Sequence, residues 1–183
     1  MAKTESRIQL HKADAAPEFD LSGIDGRSYH LEDLRGKEGL LVLFMCNHCP
    51  YVKARMAEVV ALYEEFGTRV SFVGINSSDP DYPGEGIENM KAFAYERGIA
   101  FPYLLDEDGS VAKAYGATCT PDPFLFDKDM RLVFHGRISD ALEPEDSPKE
   151  FTMRDNMQKL LRGELVEPWF NPSLGCSIKF KSE

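Results

Sequence analysis

Residues 39–52 read GLLVLFMCNHCPYV, and this stretch decides the fold. Residues 39–45 are continuously apolar, as in a β-strand that is buried on both faces. From Val52 onwards apolar side chains recur with helical spacing until Gly67 stops the pattern. The stretch therefore predicts a central strand that leads directly into an amphipathic helix. Four residues lie at the junction: Cys46, Asn47, His48 and Cys49.

The sequence on either side of this stretch predicts an α/β fold with a mixed sheet. Residues 69–76 form a second buried strand, so the two strands and the helix between them make a right-handed crossover unit with parallel pairing. Before this unit, residues 18–31 predict a hairpin around the turn at Asp25-Gly26. Further elements are expected downstream: a loop at 77–86, a helix from 87 to 98, a strand at 101–105, a helix at 110–115, an antiparallel pair of strands at 124–126 and 132–134, and a helix that ends near Gly163.

The chain length favours one domain. A chain of 183 residues can bury one sizeable core and is short for two domains of typical size. Residues 1–16 are interpreted as a loose N-terminal tail, and residues 17–183 as a single domain that includes a C-terminal extension from about residue 141. The last twenty residues are expected to form an irregular tail packed on the domain.

Composition and charge exclude several classes of partner. The formal net charge is -10 and lysine and arginine form no dense cluster, so nucleic acid is not an expected partner. No apolar run approaches the roughly 18 residues of a membrane span, so no membrane partner is expected either. The first residues lack a basic segment followed by an apolar one, which predicts a cytoplasmic protein. Four cysteines, two of them in one Cys-x-x-Cys motif, indicate redox or metal chemistry there.

The two cysteines of the motif indicate thiol–disulfide exchange. Cys46 is expected at the N-cap or in the first turn of the helix that begins near Pro50, where unpaired N–H groups and the helix dipole favour a negative charge. Because the thiolate is the nucleophile, Cys46 is predicted to attack a substrate disulfide, and Cys49 to resolve the mixed disulfide. The pair itself holds the electrons, so no organic cofactor and no metal are expected.

His48 leaves other interpretations open. An imidazole between the cysteines can stabilise a nearby thiolate, which predicts a thiol more acidic than a free cysteine. A solvated histidine without an electronic role is the alternative. Zinc bound by Cys46, Cys49 and His48 is a further alternative, but a structural zinc site needs four ligands, and Cys119 and Cys176 stand singly in the sequence.

Several motifs occur together along the chain, and they carry a family resemblance. The motifs are Pro17-Glu18-Phe19, Asp25-Gly26, Leu34-Arg35-Gly36-Lys37, Cys46 to Val52, Cys119 to Phe124, and Gly175 to Lys179. The first four resemble the thioredoxin-like branch of the alkyl hydroperoxide reductase and thiol-specific antioxidant superfamily, and the last three resemble its peroxiredoxin-like proteins with a CNHCP motif. The resemblance implies a thioredoxin-like fold: a central mixed sheet with an N-terminal hairpin, helices on both faces and a C-terminal extension.

The resemblance also implies a role for Thr120-Pro121. In that family a cis-proline turn faces the active-site disulfide, and the residue before the proline pairs with a substrate peptide. A trans proline in an ordinary loop is the alternative. Cys119 then lies near the site as a third thiol, or is a small buried apolar residue. Cys176 is either a distant resolving thiol on a tail that folds back over the site, or a packing residue.

The predicted function is that of a thiol–disulfide oxidoreductase. Its substrates are expected to be protein or small-molecule thiols and disulfides, and its reductant a thioredoxin or glutathione system. One alternative is a peroxiredoxin-like, antioxidant hydroperoxide reductase, although Val42 and Cys46 stand where that family has Pro and Thr before its reactive cysteine. A non-enzymatic redox-sensing or binding module is the other alternative. Residues 39–45 contain no Asp that could serve as a buried proton acceptor for the pair.

Overall fold

Two β-sheets and four α-helices make up the computed structural model, which describes residues 3–181. The strands are β1 (Lys3–Glu5), β2 (Asp20–Gly23), β3 (Ser28–His30), β4 (Gly39–Phe44), β5 (Val70–Asn76), β6 (Tyr103–Leu105), β7 (Cys119–Thr120), β8 (Asp122–Asp127), β9 (Leu132–Gly136), β10 (Phe170–Asn171) and β11 (Leu174–Ser177). The helices are α1 (Pro50–Phe66), α2 (Ile87–Arg97), α3 (Ser110–Tyr115) and α4 (Thr152–Leu161), with a 3-10 turn at Leu31–Leu34.

The larger sheet has eight strands in the order β10-β9-β8-β4-β5-β6-β2-β3. β4 lies inside it, parallel to β5 and antiparallel to β8. The hairpin β2–β3 and the pair β8–β9 are antiparallel. The mixed sheet, the central strand and the crossover through α1 are therefore confirmed.

β4 contributes side chains to two hydrophobic cores, one on each face of the sheet. Leu41 and Leu43 pack in the core that lies under α1, α2 and α4. Leu40, Val42 and Phe44 pack in the core that contains α3 and the 3-10 turn. Since successive side chains of a strand point to opposite faces, a strand covered on both sides needs an apolar residue at every position. This requirement explains why the strand is continuously apolar. The two cores confirm the predicted helices on both faces of the sheet.

The N-terminal segment is not loose, so this part of the sequence prediction is wrong for residues 3–16. β1 pairs antiparallel with β11, with Lys3 opposite Cys176. The N–H groups of Ala13 and Ala16 donate to the carbonyl oxygens of Leu132 and Met130. Backbone pairing holds the segment, and a strand of three residues is too short to show an alternating pattern in the sequence. Residues 1 and 2 of the predicted tail lie outside the described residues.

The C-terminal extension is also more regular than expected. β10 pairs with β9, and β11 lies between β1 and β7 in a separate three-stranded sheet. The expectation of an irregular tail is therefore wrong for these two strands. Like β1, these strands are too short to show an alternating pattern in the sequence. None of the helices within residues 3–181 has the length and apolar character that a bilayer crossing requires.

The buried aromatic cluster around Phe44 predicts a large loss of stability on truncation. Phe44 is fully buried, and its ring lies 5.3 Å from that of Tyr115 and 5.8 Å from that of Phe124. We expect Phe44→Ala to lower the free energy of unfolding by about 3–5 kcal/mol, because it leaves a cavity at the centre of the sheet. Urea denaturation measures this change.

Tyr95→Ala is the matched control, since Tyr95 is 93% exposed. We expect it to change the free energy of unfolding by less than about 0.5 kcal/mol. Equal losses in the two variants would contradict the assignment of Phe44 to the core.

Candidate active site

The cysteine motif lies where β4 ends and α1 begins. Pro50 is the first residue of the helix and Cys49 is its N-cap. The expectation that Cys46 occupies the helix start is therefore wrong, because Cys46 lies three residues before the N-cap. Pro50 explains the difference: it has no N–H to lose at the first helical position and its φ angle suits a helix, so the helix starts there.

Thr120 contacts both sulfur atoms of the motif. Cys46 Sγ lies 3.2 Å from Thr120 Oγ1. Cys49 Sγ lies 3.2 Å from the carbonyl oxygen of Thr120, to which its thiol form can donate. The Thr120–Pro121 peptide bond is cis, as the family resemblance implied. The turn therefore faces the Cys-x-x-Cys motif, and the trans alternative is not observed.

The surroundings of the two thiols place the negative charge on Cys49. The pKa of Cys49 is lowered to about 5, first by a hydrogen bond from Cys46 and then by Cys176 and the Val52 N–H, against the opposing effect of burial. The pKa of Cys46 is raised well above its ordinary value, because Cys46 donates to Cys49, is buried and lies near Glu85. In the reduced pair the environment therefore favours the proton on Cys46 and the negative charge on Cys49, whereas the sequence pattern favoured a thiolate at Cys46.

Glu85 supplies a buried carboxylate at the site, which the sequence analysis missed. It accepts hydrogen bonds from the backbone N–H groups of Asn47 (3.0 Å) and His48 (2.9 Å), and from Nδ2 of Asn76 (2.6 Å). The loop between β5 and α2 carries it, so it is remote in sequence from the cysteines. Nothing marks Glu85 among the 31 acidic residues of the chain, because only the folded loop brings it to the motif.

His48 is held by Glu85. Its ring Nδ1 contacts Glu85 Oε1, and its ring lies 4.7 Å from that of Tyr82. Only 11% of the His48 side chain is exposed, so the solvated alternative does not describe it. Potential ligand atoms of Cys46, His48 and Glu85 lie within 4.8 Å of one another. This group has three donors and contains Glu85 in place of Cys49, so it differs from the predicted zinc alternative.

Asn47 fixes the backbone between the two cysteines. Its Oδ1 accepts a hydrogen bond from the Tyr103 hydroxyl (2.9 Å), and its Nδ2 donates to the carbonyl oxygen of Gly84 (3.1 Å). Tyr103 is fully buried, so this hydrogen bond is shielded from water. The loop that follows β5 therefore holds both Asn47 and His48, and so controls the path of the chain between the sulfurs.

Both sulfur atoms are covered in this structure. Cys46 is 1% exposed and Cys49 is not exposed at all. Thr120 of β7 contacts both sulfurs. Cys176 of β11 contacts Cys49, and Glu85 of the 77–86 loop lies near Cys46. An external substrate therefore reaches the pair only after part of this cover moves.

Comparison with known proteins places the chain in a family. Residues 13–135, more than half of the chain, match the AhpC/TSA family. The chain belongs to the AhpC/TSA family. This membership agrees with the resemblance carried by the motifs from Pro17 to Phe124.

Among relatives of this AhpC/TSA protein is the thiol-disulfide oxidoreductase ResA of Geobacillus thermodenitrificans, which is 33% identical over 120 residues. The match spans 64% of this chain and 64% of that relative, slightly less than two thirds of its length.

Solved structures give the same fold. An uncharacterized conserved protein from Geobacillus kaustophilus has a TM-score of 0.94 and 41% identity, and the match covers 100% of this chain and 98% of that one. The thioredoxin domain of a thiol-disulfide oxidoreductase from Bacteroides vulgatus has a TM-score of 0.60 at 21% identity, covering 69% of this chain and 89% of that one, and shows the fold alone. The predicted thioredoxin-like fold is confirmed.

The two remaining cysteines of this AhpC/TSA chain differ in position. Cys176 lies opposite Thr120 in the β11–β7 pair, and its side chain hydrogen-bonds Cys49. Cys119 precedes Thr120 on the same strand, so its side chain points to the other face. Burial raises the pKa of Cys119 far above its ordinary value, as expected for a small apolar core residue. Of the two extra thiols, Cys176 contacts Cys49 of the pair, while Cys119 lies on the opposite face of its strand.

The charge distribution predicts an early thiolate titration that belongs to Cys49. We expect the thiolate absorbance of the reduced chain near 240 nm to appear as the pH rises through about 5, and to be lost below that pH because Cys49 then takes up a proton. In Cys49→Ser this step should disappear, and in Cys46→Ala it should move to higher pH because the donor is lost. An unchanged acidic step in Cys49→Ser would assign the low pKa to another thiol.

Glu85 is predicted to control the second thiol titration. Removing its negative charge should lower the pKa of Cys46, because the carboxylate disfavours a second anion beside it. In Glu85→Gln we therefore expect the later of the two thiolate absorbance steps to move to lower pH. Glu88→Gln is the control, since Glu88 lies three residues away with 79% of its side chain exposed. Equal titration curves for Glu85→Gln and Glu88→Gln would show that the Glu85 carboxylate does not raise the pKa of Cys46.

Proposed function

We propose that the chain is a thiol–disulfide oxidoreductase whose reduced Cys46–Cys49 pair donates two electrons to a substrate disulfide. The observation that carries the proposal is the contact of the Cys46 thiol with that of Cys49, the N-cap of α1, beside Thr120, which contacts both sulfurs. A thiolate beside a thiol is the arrangement that attacks a disulfide and then releases the product. Relatives named thiol-disulfide oxidoreductase support the same reaction class.

The two cysteines supply both electrons of the reaction. The Cys49 thiolate attacks one sulfur of the substrate disulfide, and the other substrate sulfur leaves as a thiolate that takes up a proton. Cys46 then loses its proton and attacks Cys49 in the mixed disulfide, which releases the second substrate thiol and leaves a Cys46–Cys49 disulfide. The sum is two electrons and two protons transferred to the substrate, with one proton from Cys46 and the other from solvent, because the reduced pair starts as one thiol and one thiolate. Glu85 lies near Cys46 and is the acceptor for the proton that Cys46 must lose.

This order reverses the roles predicted from the sequence, with Cys49 attacking and Cys46 resolving. The charge on Cys49 supports the reversal, because only the thiolate is nucleophilic. The Glu85 carboxylate near Cys46 supports it as well, since it disfavours a thiolate there.

The substrate class follows from the chemistry, and the partners stay predictions. Substrates of this proposal are protein or small-molecule disulfides, and the oxidised pair is reduced again by a thioredoxin or glutathione system. A cytoplasmic location also stays a prediction. Because the sulfurs are covered, we infer that substrate binding displaces the 77–86 loop or β11.

Reduction of insulin disulfides driven by dithiothreitol tests the activity. We expect turnover in the native chain and loss of at least about 100-fold in both Cys49→Ser and Cys46→Ser/Cys176→Ser, because the first lacks the attacking sulfur and the second keeps no thiol that contacts Cys49. Cys119→Ser is the matched control and should retain turnover, since its side chain faces away from the pair. Native-like turnover in either Cys49→Ser or Cys46→Ser/Cys176→Ser would contradict disulfide exchange at the motif. Consumption of hydrogen peroxide without any disulfide reduction would point to hydroperoxide reductase activity.

The order of attack is tested by trapping. With oxidised glutathione as substrate, we expect Cys49→Ser to form its mixed disulfide at least about tenfold more slowly than the native chain forms its first product, because the remaining motif thiol is protonated. Fast accumulation of a glutathione adduct on Cys46 in this variant would restore Cys46 as the attacking residue.

A further inference from the structure

A third thiol lies against the catalytic pair on β11. Cys176 is paired with Thr120 in the antiparallel ladder between β11 and β7. Residues directly opposite each other in such a ladder project their side chains to the same face. The Thr120 hydroxyl faces Cys46, so the side chain of Cys176 is on the face that looks toward the motif.

Cys49 is the central sulfur of the three. It is hydrogen-bonded by Cys46 on one side and by Cys176 on the other, and the backbone N–H of Cys176 also faces it. All three cysteines belong to the same buried core. Either neighbour is therefore placed to form a bond with Cys49.

The close approach of β11 depends on Gly175. A Cβ atom at this position would lie only 1.9 Å from the carbonyl oxygen of Thr120. No side chain fits in that gap, so any larger residue would force β11 away from β7. Glycine next to Cys176 thus permits the contact between the third thiol and the pair.

We propose that Cys176 is a third redox thiol, which takes Cys49 into a Cys49–Cys176 disulfide and releases Cys46. The proposal rests on the proposed function of the Cys46–Cys49 pair. The Cys176 thiolate attacks Cys49 Sγ in the Cys46–Cys49 disulfide, the bond between Cys46 and Cys49 breaks, and Cys46 leaves as a thiolate that takes up the proton lost by Cys176. The exchange forms one S–S bond and breaks one, so it needs no external oxidant or reductant.

The charge of Cys49 makes this step depend on the redox state. In the reduced chain, burial and then the hydrogen bond to Cys49 and its charge raise the pKa of Cys176 to about 12, so Cys176 stays protonated. Once Cys49 is part of a disulfide, it carries no charge and only burial continues to oppose ionisation. Lys179, close by on the same segment, favours the Cys176 thiolate. Cys176 therefore becomes a better nucleophile only after Cys49 has been oxidised.

Disulfide mapping after treatment with oxidised glutathione tests the proposal. In Cys46→Ser, Cys49 can only be resolved by Cys176, so we expect a chain that is two mass units lighter, with the tryptic peptide 38–53 joined to peptide 163–179. In Cys46→Ser/Cys176→Ser, we expect the glutathione adduct on Cys49 to persist at least about tenfold longer, because no resolving thiol is left. A persistent adduct in Cys46→Ser itself would overturn the proposal.

Two matched variants control for position. Cys46→Ser/Cys119→Ser should form the same crosslink, because Cys119 points to the other face. Cys46→Ser/Gly175→Ala keeps all the thiols of Cys46→Ser but should lose most of the crosslink, because β11 can no longer approach β7. A bond from Cys49 to the Cys119 peptide, 114–128, would overturn the assignment to Cys176.

Mapping of the native chain gives a result that does not depend on any variant. After oxidation we expect both a disulfide within peptide 38–53 and the bond between peptides 38–53 and 163–179. The internal bond without the second one, with normal insulin turnover, would refute the role of Cys176 and leave the oxidoreductase intact. Absence of both bonds together with absence of turnover would refute the proposed function itself.

Discussion

Thr120 is the residue on which the arrangement of the site depends. Its hydroxyl contacts Cys46, its carbonyl oxygen contacts Cys49, and its backbone pairs with Cys176. One residue in an extended conformation thus sets the position of three sulfurs that come from distant parts of the chain. The cis bond to Pro121 and the pairing of β8 with β4 connect this residue to the centre of the larger sheet. The same sheet that carries the cores therefore also aligns the thiols.

Two electrostatic effects favour the negative charge on one sulfur of the pair over the other. The first turn of α1 and the hydrogen-bond donors around Cys49 favour a thiolate there, while the Glu85 carboxylate disfavours one at Cys46. Cys46 and Cys49 are only three residues apart. This difference in position favours the negative charge on Cys49, whereas the sequence pattern favoured it on Cys46. The residue at which α1 begins therefore influences which thiol carries the charge, and Pro50 fixes that residue.

The sequence predicted what periodicity and local motifs encode, and missed what only tertiary contacts create. The apolar run of β4, the helix from Pro50 and the Cys-x-x-Cys motif predicted the fold and singled out the pair Cys46–Cys49, because each leaves a pattern within about twenty residues. Glu85 and Tyr103 leave no such pattern, since they reach the motif only when the strands are side by side. β1, β10 and β11 were missed because strands of two to four residues show no alternation.

The position of β11 between β1 and β7 has a consequence for the newly made protein. Lys3 and Cys176, which face each other in this sheet, lie 173 positions apart in the sequence, so their pairing must wait until β11 has left the ribosome. Until then the nascent domain carries its cysteine motif without the strand that later shields it. Oxidants therefore reach the sulfurs more easily before β11 has docked than afterwards.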